Sequence, residues 1–253
     1  MIAARPRRFG CALALAVACG CIGTETGNPP ARTQLALRAT SRDPDRVAVG
    51  QPGAVRLTQA WIGVERIRID GVEETCEGPG PSERLDVHDR LTGELVTGAG
   101  LRARFDKPEG GYCRVRLALA RARAPLPSSA PAELDGASFV LVIVRGDGAE
   151  VHVVSQLERE LEVRSRGEPF ELREGLSALL LAFDAADWLG SVDWDALSAD
   201  GGLVRIDRDR HSEALQQIER GLVRALRLYR DLDGDGGFSG EEARATPLAD
   251  SAP

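Results

Sequence analysis

Hydrophobic and polar residues alternate along much of the chain between residues 34 and 183, and glycine, proline and charged residues separate the alternating stretches. Alternation with a period of two places apolar side chains on one face of a β-strand. Tyr112 to Ala120 is the clearest example, and Phe139 to Val144 is apolar throughout, which is typical of a strand buried on both faces. About eight to ten such segments predict a mainly β fold, an antiparallel β-sandwich.

The hydrophobic period changes near the C-terminus. Ser212 to Arg230 carries apolar residues at helical spacing, which predicts an amphipathic helix that Ser212 caps. The residues of this stripe are Leu215, Ile218, Leu222, Leu226 and Tyr229. We therefore expect a β-sandwich domain over residues 34–200, followed by a C-terminal helix and loop over residues 201–253.

The predicted helix leads into a twelve-residue segment, DLDGDGGFSGEE, whose spacing matches the calcium loop of an EF-hand. Gly236 permits the sharp turn that such a loop requires, and Phe238 is expected to point back into the protein. The predicted calcium ligands are Asp231, Asp233, Asp235, the carbonyl of Gly237, Ser239 (often through a water) and a bidentate Glu242.

The resemblance to an EF-hand is incomplete on the C-terminal side of the loop. The exiting segment, Ala243 to Pro247, is broken by proline within about one turn, and the sequence has no second loop of this kind. We therefore expect a half-hand that acts as a structural clip rather than a calcium sensor. The alternative interpretation is a solvated acidic turn.

Residues 1–21 have the pattern of an export signal and are excluded from the predicted fold. Arg5, Arg7 and Arg8 form a positive segment, and the apolar run from Phe9 to Ala18 is too short to span a bilayer as a helix. The run ends in small residues followed by cysteine, which resembles a bacterial lipobox.

The lipobox resemblance implies that a cysteine carries the lipid, and both Cys19 and Cys21 fit this role. Neither is followed by aspartate, so we expect an outer-membrane lipoprotein anchored in the membrane through its lipid. An ordinary signal peptide, cleaved without lipid attachment, is the alternative. Residues 22–33 are expected to form a tether, because Gly23 to Pro30 is polar and turn-forming. The run GTETGNP within them resembles the mature N-termini of lipoproteins from myxobacteria-like organisms.

Cys76 and Cys113 are the only cysteines outside the export segment. In an oxidising compartment, two remaining cysteines are most simply explained by a disulfide. A catalytic thiol is the alternative, but the sequence offers no partner motif for it.

The overall charge argues against one class of partner. The chain carries a formal charge of −7, and loss of three arginines with the signal segment gives −7 − 3 = −10. Binding to nucleic acid needs a net basic face, so we expect no nucleic-acid partner. The possible partners that remain are an envelope protein or a polysaccharide.

Four segments of the body form a series that resembles a known family. They are Trp61–Ile69, Leu85–Val87, Gly111–Leu117 and Gly175–Asp184. The series is similar to a family of bacterial lipoprotein domains of unknown function with a predicted β-sandwich. The resemblance covers roughly residues 34–190 and implies an exported β-sandwich without any assigned chemistry.

The sequence contains no G-x-S-x-G, H-E-x-x-H, P-loop or paired C-x-x-C motif, so we expect no catalytic activity. The densest carboxylate group outside the loop is formed by Asp184, Asp187, Asp193 and Asp195, interleaved with Trp188 and Trp194. Paired carboxylates beside aromatic residues are typical of glycosidases, so a carbohydrate-acting hydrolase or carbohydrate-binding module is the alternative function. Otherwise these residues are helix caps, as predicted for Asp184, and core tryptophans.

Overall fold

The computed structural model describes residues 30–41, 47–49, 55–71, 76, 83–87, 90–98, 101–175 and 177–251. The predicted signal segment, the candidate lipidation residues Cys19 and Cys21, and most of the tether lie outside these residues. In chain order the strands are β1 (Pro30–Thr40), β2 (Ala48–Val49), β3 (Val55–Gly71), β4 (Glu83–Val87), β5 (Leu91–Glu94), β6 (Arg102–Pro108), β7 (Gly110–Leu119), β8 (Phe139–Arg145), β9 (Glu150–Ser155), β10 (Glu160–Arg164), β11 (Phe170–Leu172), β12 (Ala178–Asp184), β13 (Leu203–Ile206), β14 (Leu226–Arg230) and β15 (Ala249–Ser251). The α-helices are α1 (Ala185–Leu189) and α2 (Ser212–Arg224), and short 3-10 helices span Ala132–Leu134 and Glu242–Arg244.

The described strands form one curled, mixed sheet. Its main path runs β13-β9-β8-β3-β7-β10-β15-β14-β12-β1-β6. The prediction of a mainly β fold is confirmed, but the sheet is not purely antiparallel, because β1 pairs in parallel with β12 and β13 pairs in parallel with β9. Parallel neighbours cannot be joined by a tight hairpin, and here most of the chain separates β1 from β12.

The long strand β3 organises one half of this sheet. It pairs with β8 and then with β7 along one edge, and with the short strands β2, β5 and β4 along the other. Its register shifts between Leu57 and Gln59 and again between Val64 and Arg66. Such bulges bend a strand and increase its twist, so that successive segments of β3 can pair with different strands.

Alternating side chains from both halves of the sheet meet in one core. Leu35 and Leu37 of β1 and Leu181 of β12 share this core with Phe139 and Leu141 of β8. The turn at Leu95 connects the two halves, since the Leu95 N–H donates to the Ala60 carbonyl at 2.7 Å and the Ala39 N–H donates to the Leu95 carbonyl at 2.9 Å. We call this junction, the turn Glu94–Gly98 with its bonds to β1 and β3, the seam.

The C-terminal region belongs to the same sheet as the body, because β13 pairs with β9 and β14 pairs with β12. Helix α2 packs against α1, and Gly221 approaches so closely that a Cβ there would lie 2.0 Å from the Trp188 carbonyl oxygen. The helix begins at Ser212, but the residue at the N-cap position is His211, at φ +54°, and no side chain caps the helix. The predicted capping role of Ser212 is therefore wrong.

The prediction that one helix extends from Ser212 to Arg230 is also wrong. The helix ends at Arg224, and Leu226–Arg230 forms β14, which pairs antiparallel with β12. Leu226 and Leu228 are buried on the core side. Every second side chain of this segment therefore faces the core, as in a strand, instead of following the helical spacing that was predicted. The helix therefore does not lead directly into the acidic loop.

The predicted disulfide is confirmed. Cys76 is bonded to Cys113 of β7, and their Cα atoms are 5.3 Å apart. The Arg164 guanidinium donates a hydrogen bond to the Cys76 carbonyl at 2.5 Å, so the segment at Cys76 is held on both β7 and β10. The bond closes a loop of 37 residues in the body of the sheet.

Replacing both cysteines, Cys76→Ala with Cys113→Ala, should lower the free energy of unfolding by about 3–4 kcal/mol, because the unfolded chain loses the constraint of the closed loop. Urea denaturation under non-reducing conditions measures this difference. Reductant should destabilise the wild-type protein and leave the double variant unchanged. An unchanged urea midpoint in the double variant would show that the bond does not stabilise the fold.

Candidate metal centre

The acidic loop Asp231–Glu242 lies between two paired strands of the sheet. Strand β14 enters it, the 3-10 helix Glu242–Arg244 leaves it, and β15 returns to pair antiparallel with β14. The Asp231 N–H donates to the Ala178 carbonyl at 3.1 Å, which fixes the first loop residue to the start of β12. The expected entering helix is thus replaced by a strand, and the exiting segment is a 3-10 turn that ends at Arg244, before Pro247.

Three of the predicted ligands meet in space. Asp231, Asp233 and Asp235 each place a carboxylate oxygen within 4.8 Å of the others, a separation that a single metal ion could bridge. Asp231 is buried at 4% exposure, whereas Asp233 and Asp235 are exposed. One side of this carboxylate cluster therefore faces the protein and the other faces solvent.

Backbone amides of the loop turn inward towards these carboxylates. The Asp231 carboxylate accepts the Gly234 N–H at 2.8 Å and the Gly236 N–H at 3.0 Å, and Asp235 accepts the Gly237 N–H at 2.5 Å. Gly234 and Gly236 adopt φ angles of +72° and +70°, in the left-handed region that glycine occupies without steric cost. The two glycines therefore permit the tight wrap that the spacing predicted.

Glu242 closes the loop from the inside. It is fully buried, and its two carboxylate oxygens accept the Leu232 N–H at 3.0 Å and the Ser239 N–H at 2.6 Å. The Ser239 hydroxyl in turn accepts the Glu242 N–H at 3.3 Å. The Leu232 bond holds Glu242 against the start of the loop. The ligand roles of Glu242, Ser239 and the Gly237 carbonyl stay predictions.

The buried carboxylates are electrostatically costly without a cation. Within the described part of the chain, neither Asp231 nor Glu242 has a cationic side-chain nitrogen within 4.0 Å. Burial raises the pKa of Asp231, as do the charges of Glu242 and Asp233, although the Gly234 and Gly236 amides act in the opposite direction. These groups fit a bound cation, since a hard ion would neutralise carboxylates that the fold removes from water.

The aromatic residue of the loop points into the protein, as predicted. The Phe238 ring contacts the Tyr229 ring edge-on, with 5.3 Å between centroids, and packs on the outer face of β1 and β12. Ala36, Leu180 and Ala182 complete this small apolar cluster. Phe238 thus pins the middle of the loop to the sheet.

Two arginines contact the loop from the neighbouring strands. Arg38 of β1 donates to the Gly236 carbonyl at 2.5 Å, and Arg102 of β6 donates to the Asp235 carbonyl. Sequence reasoning missed both residues, because they lie 198 and 133 positions away from their acceptors. No local pattern could have indicated them.

The second candidate site, at Asp184–Asp195, does not present its aromatic side chains. Trp188 is fully buried and Trp194 is 8% exposed, so neither offers a ring face on which a sugar could stack. Asp184 caps α1, as predicted, by accepting the Ala186 N–H at 2.8 Å and the Asp187 N–H at 3.2 Å. The tryptophan-based carbohydrate site proposed as the alternative therefore does not fit this geometry.

Three of the four carboxylates of that cluster have local partners. Asp184 and Asp187 both pair with Arg227 of β14, and the Asp193 carboxylate accepts the Ala196 N–H at 3.3 Å. The Arg227 pairs fix α1 to the sheet, and the Asp193 bond closes the turn that follows α1.

Comparisons with known proteins do not assign the chain to a family. No family model matches it, and no curated protein matches it. Among solved structures, it is similar to MbnP from Methylosinus trichosporium, at 11% identity over 68% of this chain and 81% of that chain, with a TM-score of 0.32. Separately, no helix in the described ranges has the length and apolar character needed to cross a membrane.

Trp188→Ala should destabilise the protein by about 3–5 kcal/mol, since it removes a large side chain that packs against Phe139 and Phe183. Thermal and urea denaturation of the variant measure this loss. Val154→Ala, which truncates a half-buried residue, is the milder comparison. A stable Trp188 variant would contradict the assignment of this tryptophan to the core.

Proposed function

We propose that this chain is an exported lipoprotein of the cell envelope whose β-domain binds one calcium ion in the loop Asp231–Glu242. The observation that carries the proposal is the burial of Asp231 and Glu242 in a loop that also gathers Asp233 and Asp235. In this proposal the ion is structural, and we assign the chain no catalytic step.

The donor set favours calcium over other common metals. The cluster offers carboxylate oxygens and no thiolate or imidazole, which disfavours zinc and copper. Calcium accepts six to eight oxygen ligands in flexible geometry, whereas magnesium requires a near-ideal octahedron. Asp231, Asp233, Asp235, the Gly237 carbonyl, Ser239 and Glu242 would supply such a shell.

The surroundings of the loop favour a clip over a sensor. Sensor EF-hands respond to calcium by changing the angle between two helices. Here the loop joins β14 to β15, Phe238 is packed on the sheet, and the exit is a single 3-10 turn. Calcium would therefore stabilise one conformation rather than open a binding groove.

Several features support the proposed location. The lipobox-like segment with Cys19 and Cys21 and the polar tether are sequence arguments for export and lipid anchoring. A disulfide, as formed by Cys76 and Cys113, is typical of oxidising compartments. Calcium sites of extracellular modules are typically weak, roughly 10⁻⁴–10⁻³ M, so a single exposed loop would suffice there.

Calorimetric titration of the metal-free protein with calcium tests this proposal. We expect one site with a Kd between about 10⁻⁵ and 10⁻³ M, and a melting temperature that rises with calcium concentration. Glu242→Gln should abolish the binding heat and the stabilisation, because it removes the predicted bidentate ligand. Glu241→Gln is the matched control, since Glu241 is the exposed neighbour of Glu242 and is not a predicted ligand.

Two results would contradict the calcium proposal. One is the absence of heat and of thermal stabilisation in the wild-type protein. The other is an equal loss of binding in the Glu241 and Glu242 variants, which would indicate a diffuse charge effect.

A second observation favours an acidic polysaccharide as the envelope partner. A surface cleft of about 540 Å³ lies between β5 and the proline-rich segment 120–127, a volume in the usual range for ligand sites. Arg90, Arg121 and Arg123 line it. Arg90 pairs with Glu65 and Arg121 with Glu158, but Arg123 has no ion pair or hydrogen bond with the described residues.

The charge of this cleft is opposite to that of the whole chain. The protein carries a formal charge of −7, but the residues that line the cleft include three arginines and no acidic residue. Glu65 and Glu158 offset the charges of Arg90 and Arg121, so the charge of Arg123 is the one that attracts anions to the cleft. Arginine recognises carboxylates through paired hydrogen bonds, which suits the uronate groups of an acidic polysaccharide.

Oligogalacturonate is a suitable probe for the cleft. We expect binding that weakens with added salt and falls by about tenfold in Arg123→Gln, which corresponds to one lost charge-assisted contact. Arg104→Gln, at an exposed arginine on β6, is the control and should bind as the wild-type protein does. Equal affinities for all three proteins, or no binding at all, would overturn the assignment of the cleft.

A further inference from the structure

Arg38 lies between the metal loop and the seam. Its Nε donates to the Gly236 carbonyl of the loop at 2.5 Å. On the seam side its guanidinium is pressed against Gly98, where an added Cβ would lie 1.1 Å from Nη1. Gly98 also adopts a φ of +69°, so side-chain size and backbone conformation both require glycine at this contact. One side chain therefore touches two segments that are far apart in the sequence.

The seam itself is built around a buried carboxylate. Glu94 is 4% exposed, and one of its oxygens accepts the N–H groups of Ala60 and Val96, both at 2.9 Å. The other oxygen accepts the Thr97 N–H at 2.5 Å and the Thr97 hydroxyl at 2.6 Å. These bonds hold the turn in the shape that lets Leu95 join β1 to β3.

The charge of Arg38 affects both the seam and the metal loop. Burial and the neighbouring Arg102 lower the pKa of Arg38, while the carboxylates of Asp235 and Asp231 in the loop and of Glu94 in the seam act in the opposite direction. Arg38 therefore serves as a shared counter-charge, in addition to its direct contacts with Gly236 and Gly98. Moving either segment away from Arg38 would leave the carboxylates of that segment less compensated.

The loop conformation that suits a metal is the same conformation that Arg38 and Arg102 hold. Their guanidinium groups contact the Gly236 and Asp235 carbonyls from outside the loop. The adjoining N–H groups of Gly236 and Gly237 point the other way, to the carboxylates of the predicted ligands. Each arginine therefore fixes the orientation of a peptide plane whose N–H donates to a carboxylate of the predicted metal site.

We propose that Arg38 is a positioning residue that couples the metal loop to the seam, so that calcium binding strengthens the junction between β1 and β3. This inference rests on the proposed calcium function. The coupling follows from thermodynamic linkage: if calcium stabilises the loop conformation that Arg38 contacts, opening of the seam becomes less favourable when calcium is bound.

The expected size of the effect has a clear upper limit. An opening that must release the ion is disfavoured by the factor 1 + [Ca²⁺]/Kd, which is about 100 when calcium is 100-fold above its Kd. Amide hydrogen exchange measures such local openings directly. We therefore expect calcium to raise the protection of seam amides by roughly tenfold to 100-fold under these conditions.

The experiment compares hydrogen exchange of the purified protein with and without calcium. In the wild-type protein, the amides of Leu95 and Ala39 at the seam should gain protection, and more so than the amides of β8 and β9. Arg38→Met should bind calcium more weakly, because Arg38 helps to hold the loop. At saturating calcium the variant should still protect the loop amides of Gly234 and Gly236, but the gain at the seam should disappear. Arg104→Met keeps Arg38 and should show the full gain.

The outcomes separate this inference from the calcium proposal. If the wild-type protein shows no calcium binding by calorimetry, the proposed function fails. If calcium binds but the seam amides gain no more protection than β8 and β9, the coupling is wrong while the metal site stands. A seam that still gains protection in Arg38→Met at saturating calcium would also overturn the assigned role. Even if Arg38→Met does not fold, the wild-type comparison still decides whether calcium binding strengthens the seam.

Discussion

The burial of two carboxylates in one short loop is the constraint on which the C-terminal architecture depends. Glu242 is fully enclosed and Asp231 nearly so, yet among the described residues no cationic side chain lies within ion-pair distance of either. Backbone amides satisfy part of their hydrogen-bonding capacity, but they do not remove the charge. A bound cation would resolve this imbalance, and the carboxylates of Asp233 and Asp235 lie close enough to Asp231 to share one.

The sheet anchors the acidic loop at several points. The loop is anchored at its start by β12, in its middle by Phe238 on the outer face of the sheet, and at its end by the pairing of β15 with β14. Arg38 and Arg102 add contacts to the loop backbone from β1 and β6. A strand on one side and a 3-10 turn on the other thus hold a loop whose spacing is typical of a helix–loop–helix motif.

Features set by local spacing could be predicted from the sequence. The alternation in β7, the apolar run of β8, the Asp184 cap, the inward Phe238 and the Cys76–Cys113 pair follow from neighbouring residues or from the number of cysteines. The end of α2 was mispredicted because Leu226 and Tyr229 fit a helical stripe, whereas burial of Leu226 and Leu228 against the core makes this segment a strand beside β12.

Features set by tertiary contacts left no local signal. The parallel pairing of β1 with β12 joins residues separated by most of the chain, and alternation within each strand is the same for parallel and antiparallel partners. The roles of Arg38 and Arg102 depend on where the curled sheet places the loop. The sequence favoured Trp188 and Trp194 as core residues but left a sugar platform as the alternative, and their burial was decided by the packing of α1 and α2.

A crystal structure of the protein grown with calcium, with the ion located by its anomalous scattering, tests the central claim most directly. The account predicts one calcium ion inside the loop, with oxygen ligands from Asp231, Asp233, Asp235 and Glu242 at about 2.3–2.6 Å. Anomalous density elsewhere, or only water among these carboxylates at saturating calcium, would contradict it.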